Sequence, residues 1–194
     1  MTITAKAGES KSFEPIPEGS YAARLYQIIH VGNVEGWEQQ IQNKVRLTFE
    51  IPELTREFKE GEGEKPLVIS KEYTLSTHEK ANLRKVIEAL VGTALSEKEA
   101  EDFDVEKLVG DTGLLTIKQK TGDRGKYAYV DSVTVLPKSM KCGKQVNKNK
   151  VQNYDDFDEE FHASLPDFLR EKIESSEEYR AMAGEDAVED GIPF

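Results

Sequence analysis

The sequence predicts a mainly β domain of five strands with a helical segment between the third and fourth, followed by an acidic C-terminal tail. Three observations predict it. Several segments alternate apolar and polar residues, the pattern of a strand with one buried face. One central segment spaces its apolar residues at helical intervals instead. The charge of the 194 residues is unevenly divided: the net value is -11, yet residues 1–137 hold 18 basic and 23 acidic side chains, residues 138–150 hold five lysines and no acid, and residues 151–194 hold three basic and 14 acidic.

Pro15, Pro17 and Gly19 punctuate the entry to residues 20–31, SYAARLYQIIHV, a β-branched and aromatic run that reads as a strand and stops at Gly32. Residues 44–51 alternate cleanly, with Val45, Leu47, Phe49 and Ile51 on one face and Lys44, Arg46, Thr48 and Glu50 on the other. A charged, glycine-bearing stretch at 57–66 reads as a loop, and 67–75 resumes the extended pattern. Ser76 and Glu79 have capping-box spacing ahead of Leu83, Val86, Ile87, Leu90 and Val91, with Gly92 at the helix end. Ser96 and Glu99 repeat the box on a shorter piece, and 104–110 makes a further turn or two. Residues 113–120, a Thr-Gly-Asp-Arg-Gly turn and residues 126–136 form a closing hairpin.

This order is that of an OB-fold, a five-stranded Greek-key barrel, partly open, whose face binds oligonucleotides or oligosaccharides. A small α+β sandwich gives the same string of elements. The organisation expected is a domain over 1–137, a flexible basic linker over 138–150 and an acidic tail over 151–194. In the tail, Ser164 caps a short amphipathic helix with Leu165, Phe168, Leu169 and Ile173 as its apolar stripe, docked on the barrel, and the chain is mobile from Glu174 onward.

The polar faces carry cations interleaved with aromatic rings. Single strands are held without base readout by a cationic groove along the phosphates and by rings under the bases. Arg24 and Tyr26 lie on the first strand, Lys44 and Arg46 on the second, Lys71 and Tyr73 on the third. Lys118, Lys120, Arg124, Tyr127 and Tyr129 lie on the last hairpin, and Trp37 on a polar loop. These twelve residues are the candidate nucleic-acid contacts, each with a bland alternative as a solvated lysine or a core tyrosine.

Little points to an enzyme, a cofactor or a metal. His30, His78 and His162 are far apart in sequence, Cys142 stands alone among lysines, and no phosphate-cradling glycine loop occurs. Asp102, Asp104 and Glu106 read as solvated acids. The first thirty residues hold no apolar signal core and no run reaches the length of a membrane span, so a cytosolic protein with no membrane partner is expected.

The last six residues are Glu189-Asp190-Gly191-Ile192-Pro193-Phe194. They resemble the acidic C-terminal tip of bacterial single-stranded DNA-binding proteins, with Gly191 where that family keeps an aspartate. The resemblance implies that Phe194 enters an apolar pocket of a partner, Pro193 limits the entropy lost, and Glu189 and Asp190 meet surrounding cations, with Ile192 beside them. The asparagine- and lysine-rich first strand and the long glycine, proline and glutamine-rich linker of the cellular family are missing, so its tetramer is not implied. The body, with Pro17-Glu-Gly-Ser-Tyr-Ala-Ala-Arg-Leu and Lys71-Glu-Tyr-Thr-Leu-Ser, looks more like the phage-encoded OB-fold type. The expected function is therefore coating of single-stranded DNA in replication, recombination or repair, in the cytosol of a bacterial host, with host or phage replication and repair proteins recruited through the tip. The acidic tail is expected to fold back over the groove as a weak phosphate mimic. The alternative is an acidic interaction protein, a DNA mimic that inhibits a nucleic-acid enzyme.

Overall fold

The computed structural model describes residues 14–36, 39–123 and 125–184. Five long strands form: β1 (Gly19–Glu35), β2 (Ile41–Glu57), β3 (Glu64–Thr74), β4 (Thr112–Gly122) and β5 (Gly125–Val135), joined by a short β6 (Lys150–Gln152). The chain is mainly β, as expected, with a six-stranded sheet in the order β3-β2-β1-β4-β5 and β6 beside β1. All pairs are antiparallel except β6 on β1. β1 is the pivot. β2 runs along one edge of it, while the other edge pairs first with β4, from Gly19 to Arg24, and then with β6, from Gln27 to Ile29. Among the described residues β3 and β5, the ends of this path, are not paired as strands; the Lys71 ammonium joins them by donating to the Val130 carbonyl at 2.8 Å.

The alternation sets the core. Leu25, Ile28, Leu47, Phe49, Ile51, Ile69, Leu115 and Ile117 point to one face and are buried there. Helix α1 (Asn82–Val91) covers them with Leu83, Val86, Ile87 and Leu90, each fully buried aliphatic side chain contributing about 1.5–3 kcal/mol. Gly92 ends α1 in the left-handed region, at φ +81°. The start of α1 departs from expectation: Ser76 and Glu79 form no capping box. Ser76 Oγ accepts from the His78 amide at 3.3 Å and the Ala81 amide donates to His78 O at 2.8 Å, so a turn consumes these residues and α1 begins at Asn82 with no side-chain cap. The second box does form, with Ser96 and Glu99 reciprocally bonded at the start of α2 (Glu97–Glu101). A 3-10 turn, Val105–Leu108, leads into β4. Arg84, buried, donates to Leu95 O, Glu88 and Glu97 and so fastens α1 to α2.

Beyond β5 the chain is far more ordered than its composition suggests. The segment expected as a flexible linker is a strap pinned to the outer face of the sheet. Glu50, wholly buried, accepts from the amides of Val146 at 3.2 Å and Asn147 at 2.8 Å and from Asn147 Nδ2 at 2.8 Å. Arg24 donates to Gly143 O at 3.1 Å. After β6 come α3 (Glu159–Ser164), α4 (Asp167–Glu174) and α5 (Glu177–Ala183). The expected single helix is thus one of three, and the chain expected to be mobile from Glu174 forms α5, capped by Ser176. The expected stripe docks through Leu165, Leu169 and Ile173, while Phe168 stands 59% exposed and Ser164 ends α3 rather than capping α4. Leu165, Leu169 and Ile173 bury Ile29, Val31 and Val34 on the outer face of β1, framed by Tyr154, Phe157, Phe161 and Tyr179.

Gly32 makes that docking possible. It sits at φ +89°, and a Cβ there would lie 2.8 Å from Ser176 Cβ and 2.9 Å from the Tyr154 hydroxyl, which itself donates to Val31 O at 2.8 Å. Gly32→Ala is expected to destabilise the fold by about 2–4 kcal/mol, from left-handed strain and overpacking together. Thermal unfolding checks this; a Tm equal to the parent's would refute the close approach.

Among the described residues no helix is long and apolar enough to cross a membrane, and no group of three or more His, Cys, Asp or Glu is placed to hold a metal.

Candidate functional site

The twelve candidate contacts divide into separate places. The clearest grouping is on the β4–β5 hairpin, where directly opposed residues of antiparallel strands present side chains to the same face. Lys118 pairs with Tyr129 and Lys120 with Tyr127, and the neighbouring Ile117 and Val130 point the other way into the core. Tyr127 is 48% exposed and Tyr129 36%. The Tyr127 ring lies over Gly122 at the hairpin tip, where a Cβ would come within 3.2 Å of it. Lys118 bonds Asp131 at 2.9 Å, and that carboxylate holds the lysine pKa above its usual value. Two tyrosine faces and two lysines thus form a short ladder open to solvent.

The residues on β1 to β3 are engaged differently. Arg24 keeps a side-chain exposure of 20% and is committed to Gly143 O and Gly110 O, with Glu50 at 4.0 Å. It holds the strap, and presents little to a ligand. Tyr26 is half-buried; burial first, and then the nearby Glu50 carboxylate, push its phenol pKa up. Tyr73 is 5% exposed and belongs to the core, so it cannot stack a base. Its parity explains this: Tyr73 lies opposite Val45 and Lys71 opposite Leu47, both on the inner face. Lys44 and Arg46 do share the outer face. Lys44 donates to Thr74 Oγ1 at 3.0 Å, while Arg46 pairs with Glu72 at 3.3 Å and lies 5.7 Å from the centre of the Phe168 ring.

That last contact bears on the folded-back tail. Where α4 crosses the outer face it brings Phe168 over Arg46 and Lys172 to within 2.5 Å of Glu72. At this crossing the tail meets the body with a ring and a cation, while in α5 Glu178 accepts from the Asn33 amide of β1 at 2.7 Å. Other acids of the tail, among them Asp155, Glu159, Glu160 and Glu171, face solvent or half-face it.

No family model matches this chain, and no curated protein matches it.

The strap adds cations in places that composition alone could not fix. Lys138, Lys141, Lys144 and Lys148 are all exposed, and among the described residues none pairs with a carboxylate. Glu50 and Arg24 anchor the strap at Gly143, Val146 and Asn147, between and beside these lysines. Lys150 is the exception, bonded to Asp158 and lying 4.8 Å from the Phe161 ring centre. Cys142, on the same strap, is half-buried, and burial pushes its thiol pKa up, away from thiolate chemistry. Trp37, Arg124 and the tip residues Glu189, Asp190, Ile192, Pro193 and Phe194 lie outside the described residues.

Proposed function

We propose that the protein is a non-catalytic single-stranded DNA-binding protein of the phage-encoded OB-fold type, with the strand lying on the outer face of the β4–β5 hairpin. The observation that carries this reading is the solvent-exposed ladder of Lys118, Tyr129, Lys120 and Tyr127 on one face. Tyrosine faces stack bases of any identity, and lysines track the phosphates. The exposed lysines at 138, 141, 144 and 148 supply further phosphate contacts from a strap that is already ordered, so binding loses little conformational entropy there. The strand order β3-β2-β1-β4-β5, the helices between β3 and β4, and the Lys71 bridge from β3 to Val130 on β5 fit a partly open barrel of the OB type. The segregated acid and the Ile-Pro-Phe terminus fit a second role, the recruitment of replication and repair proteins.

A fluorescence titration with oligo-dT tests this. Affinity at or below micromolar is expected at about 50 mM salt, falling at least tenfold by about 300 mM as phosphate counterions are released. Deleting the last three residues is expected to leave that affinity intact and to abolish capture of partner proteins. No affinity for oligo-dT at low salt would overturn the reading in favour of an acidic DNA mimic.

A further inference from the structure

A cavity of about 470 Å³ opens where the end of β3 meets the start of α1, and Lys44, Lys71, His78 and Lys80 line it. Its charge is unbalanced. The carboxylate in its wall, Glu72, is already paired with Arg46 at 3.3 Å and with Lys172 at 2.5 Å. Among the described residues no carboxylate pairs with Lys44, Lys71 or Lys80.

Two of these lysines are held by neutral acceptors, Lys44 by Thr74 Oγ1 at 3.0 Å and Lys71 by Val130 O at 2.8 Å. An ammonium has three donors, so each keeps two for another partner. Both are thereby positioned without being neutralised. His78 Nδ1 accepts from the Lys80 amide at 3.4 Å, which puts the proton of the neutral ring on Nε2, a further donor. Ala81 and Asn82, at the uncapped start of α1, also line the cavity. Three lysines without a carboxylate partner, two of them positioned by neutral acceptors, line one cavity, and a compact multivalent oxyanion answers their charge together.

We propose that this cavity binds a phosphoryl group. The source of that group, a strand end or an internal phosphodiester of single-stranded DNA, rests on the function proposed above. Val130, whose carbonyl accepts from Lys71 in the cavity wall, directly follows Tyr129 in β5, so the cavity and the tyrosine ladder are joined through neighbouring residues of one strand.

The test uses the full-length protein and separates the two readings. Calorimetric titration with pyrophosphate at low salt is expected to show binding. Lys44→Ala/Lys80→Ala is expected to weaken it at least tenfold, and Lys98→Ala, on the exposed face of α2, to leave it unchanged. Lys80→Ala alone, at an exposed position, is expected to give a partial loss and guards against a folding defect in the double variant. Equal pyrophosphate binding by parent and double variant, or none by the parent, overturns the cavity whatever oligo-dT does. Pyrophosphate binding that the double variant loses upholds the cavity even where oligo-dT fails to bind, in which case only the nucleic-acid reading falls. With oligo-dT bound, tighter binding of a 5′- or 3′-phosphorylated strand, lost in the double variant, assigns the cavity to a strand end. An equal loss for phosphorylated and unphosphorylated strands assigns it to an internal phosphodiester.

Discussion

Tyr127→Ala/Tyr129→Ala is expected to weaken oligo-dT binding by about 100-fold, since each base stack on an aromatic ring is worth about 1–3 kcal/mol and every 1.4 kcal/mol is about tenfold. The fold should hardly notice. Both rings stand on the outer face at 48% and 36% exposure, and neither belongs to a buried cluster. Loss of affinity with an unchanged Tm is therefore the expected pair of results. The Phe variants, which keep the ring and lose only the hydroxyl, should bind close to the parent. An affinity within about twofold of the parent in the alanine variant would remove the ladder from the interface, because two lost stacks cannot be that small.

The second large effect is on stability. Glu50→Ala is expected to cost about 3–5 kcal/mol, the usual penalty for breaking a buried charged network from one side. Glu50 is wholly buried, and its removal strands three N–H groups of Val146 and Asn147 and leaves Arg24 without its nearest anion. Glu50→Gln keeps an acceptor of the same size and should cost less than the alanine variant. Urea unfolding at neutral pH measures both. A Glu50→Ala protein within about 1 kcal/mol of the parent would show that the strap is not held by this carboxylate.

The strands were legible where one face is apolar and the other polar, a period of two written into residues such as Val45, Leu47, Phe49 and Ile51, whereas β1 places apolar residues in both layers. The same parity, carried from β2 to β3 through the register, puts Lys71 and Tyr73 on the inner face; a strand read alone gives no register. The start of α1 was misplaced because Ser76 and Glu79 have capping-box spacing, while the chain spends those residues on a turn. The strap, β6 and α5 were illegible for another reason. Lys138 to Gln152 is polar and nearly devoid of periodicity, and its order comes from Glu50, almost a hundred residues earlier, through backbone amides that any residue but proline supplies. Helix α5 buries none of its residues fully; the Ser176 cap, the close approach to Gly32, the Asn33 amide bond to Glu178 and the partly buried Tyr179 fix it in place. The candidate site was legible as a set of residue types but not as a place. Of the twelve, the structure brings Lys118, Lys120, Tyr127 and Tyr129 onto one ladder, and draws Arg24 and Tyr73 into the fabric of the fold.

β1 has one further consequence. Neighbouring residues of this strand, Ile28 and Ile29, belong to two different apolar layers, one beneath α1 and one beneath α4. A single ribbon of backbone is thus the shared wall of both layers, and neither can melt without stripping the other. Trimming the chain after residue 137 would bare Ile29, Val31 and Val34 to water and leave one edge of β1 without β6. What the amino-acid composition presents as a detachable acidic appendage is, up to residue 183, the second half of a laminate.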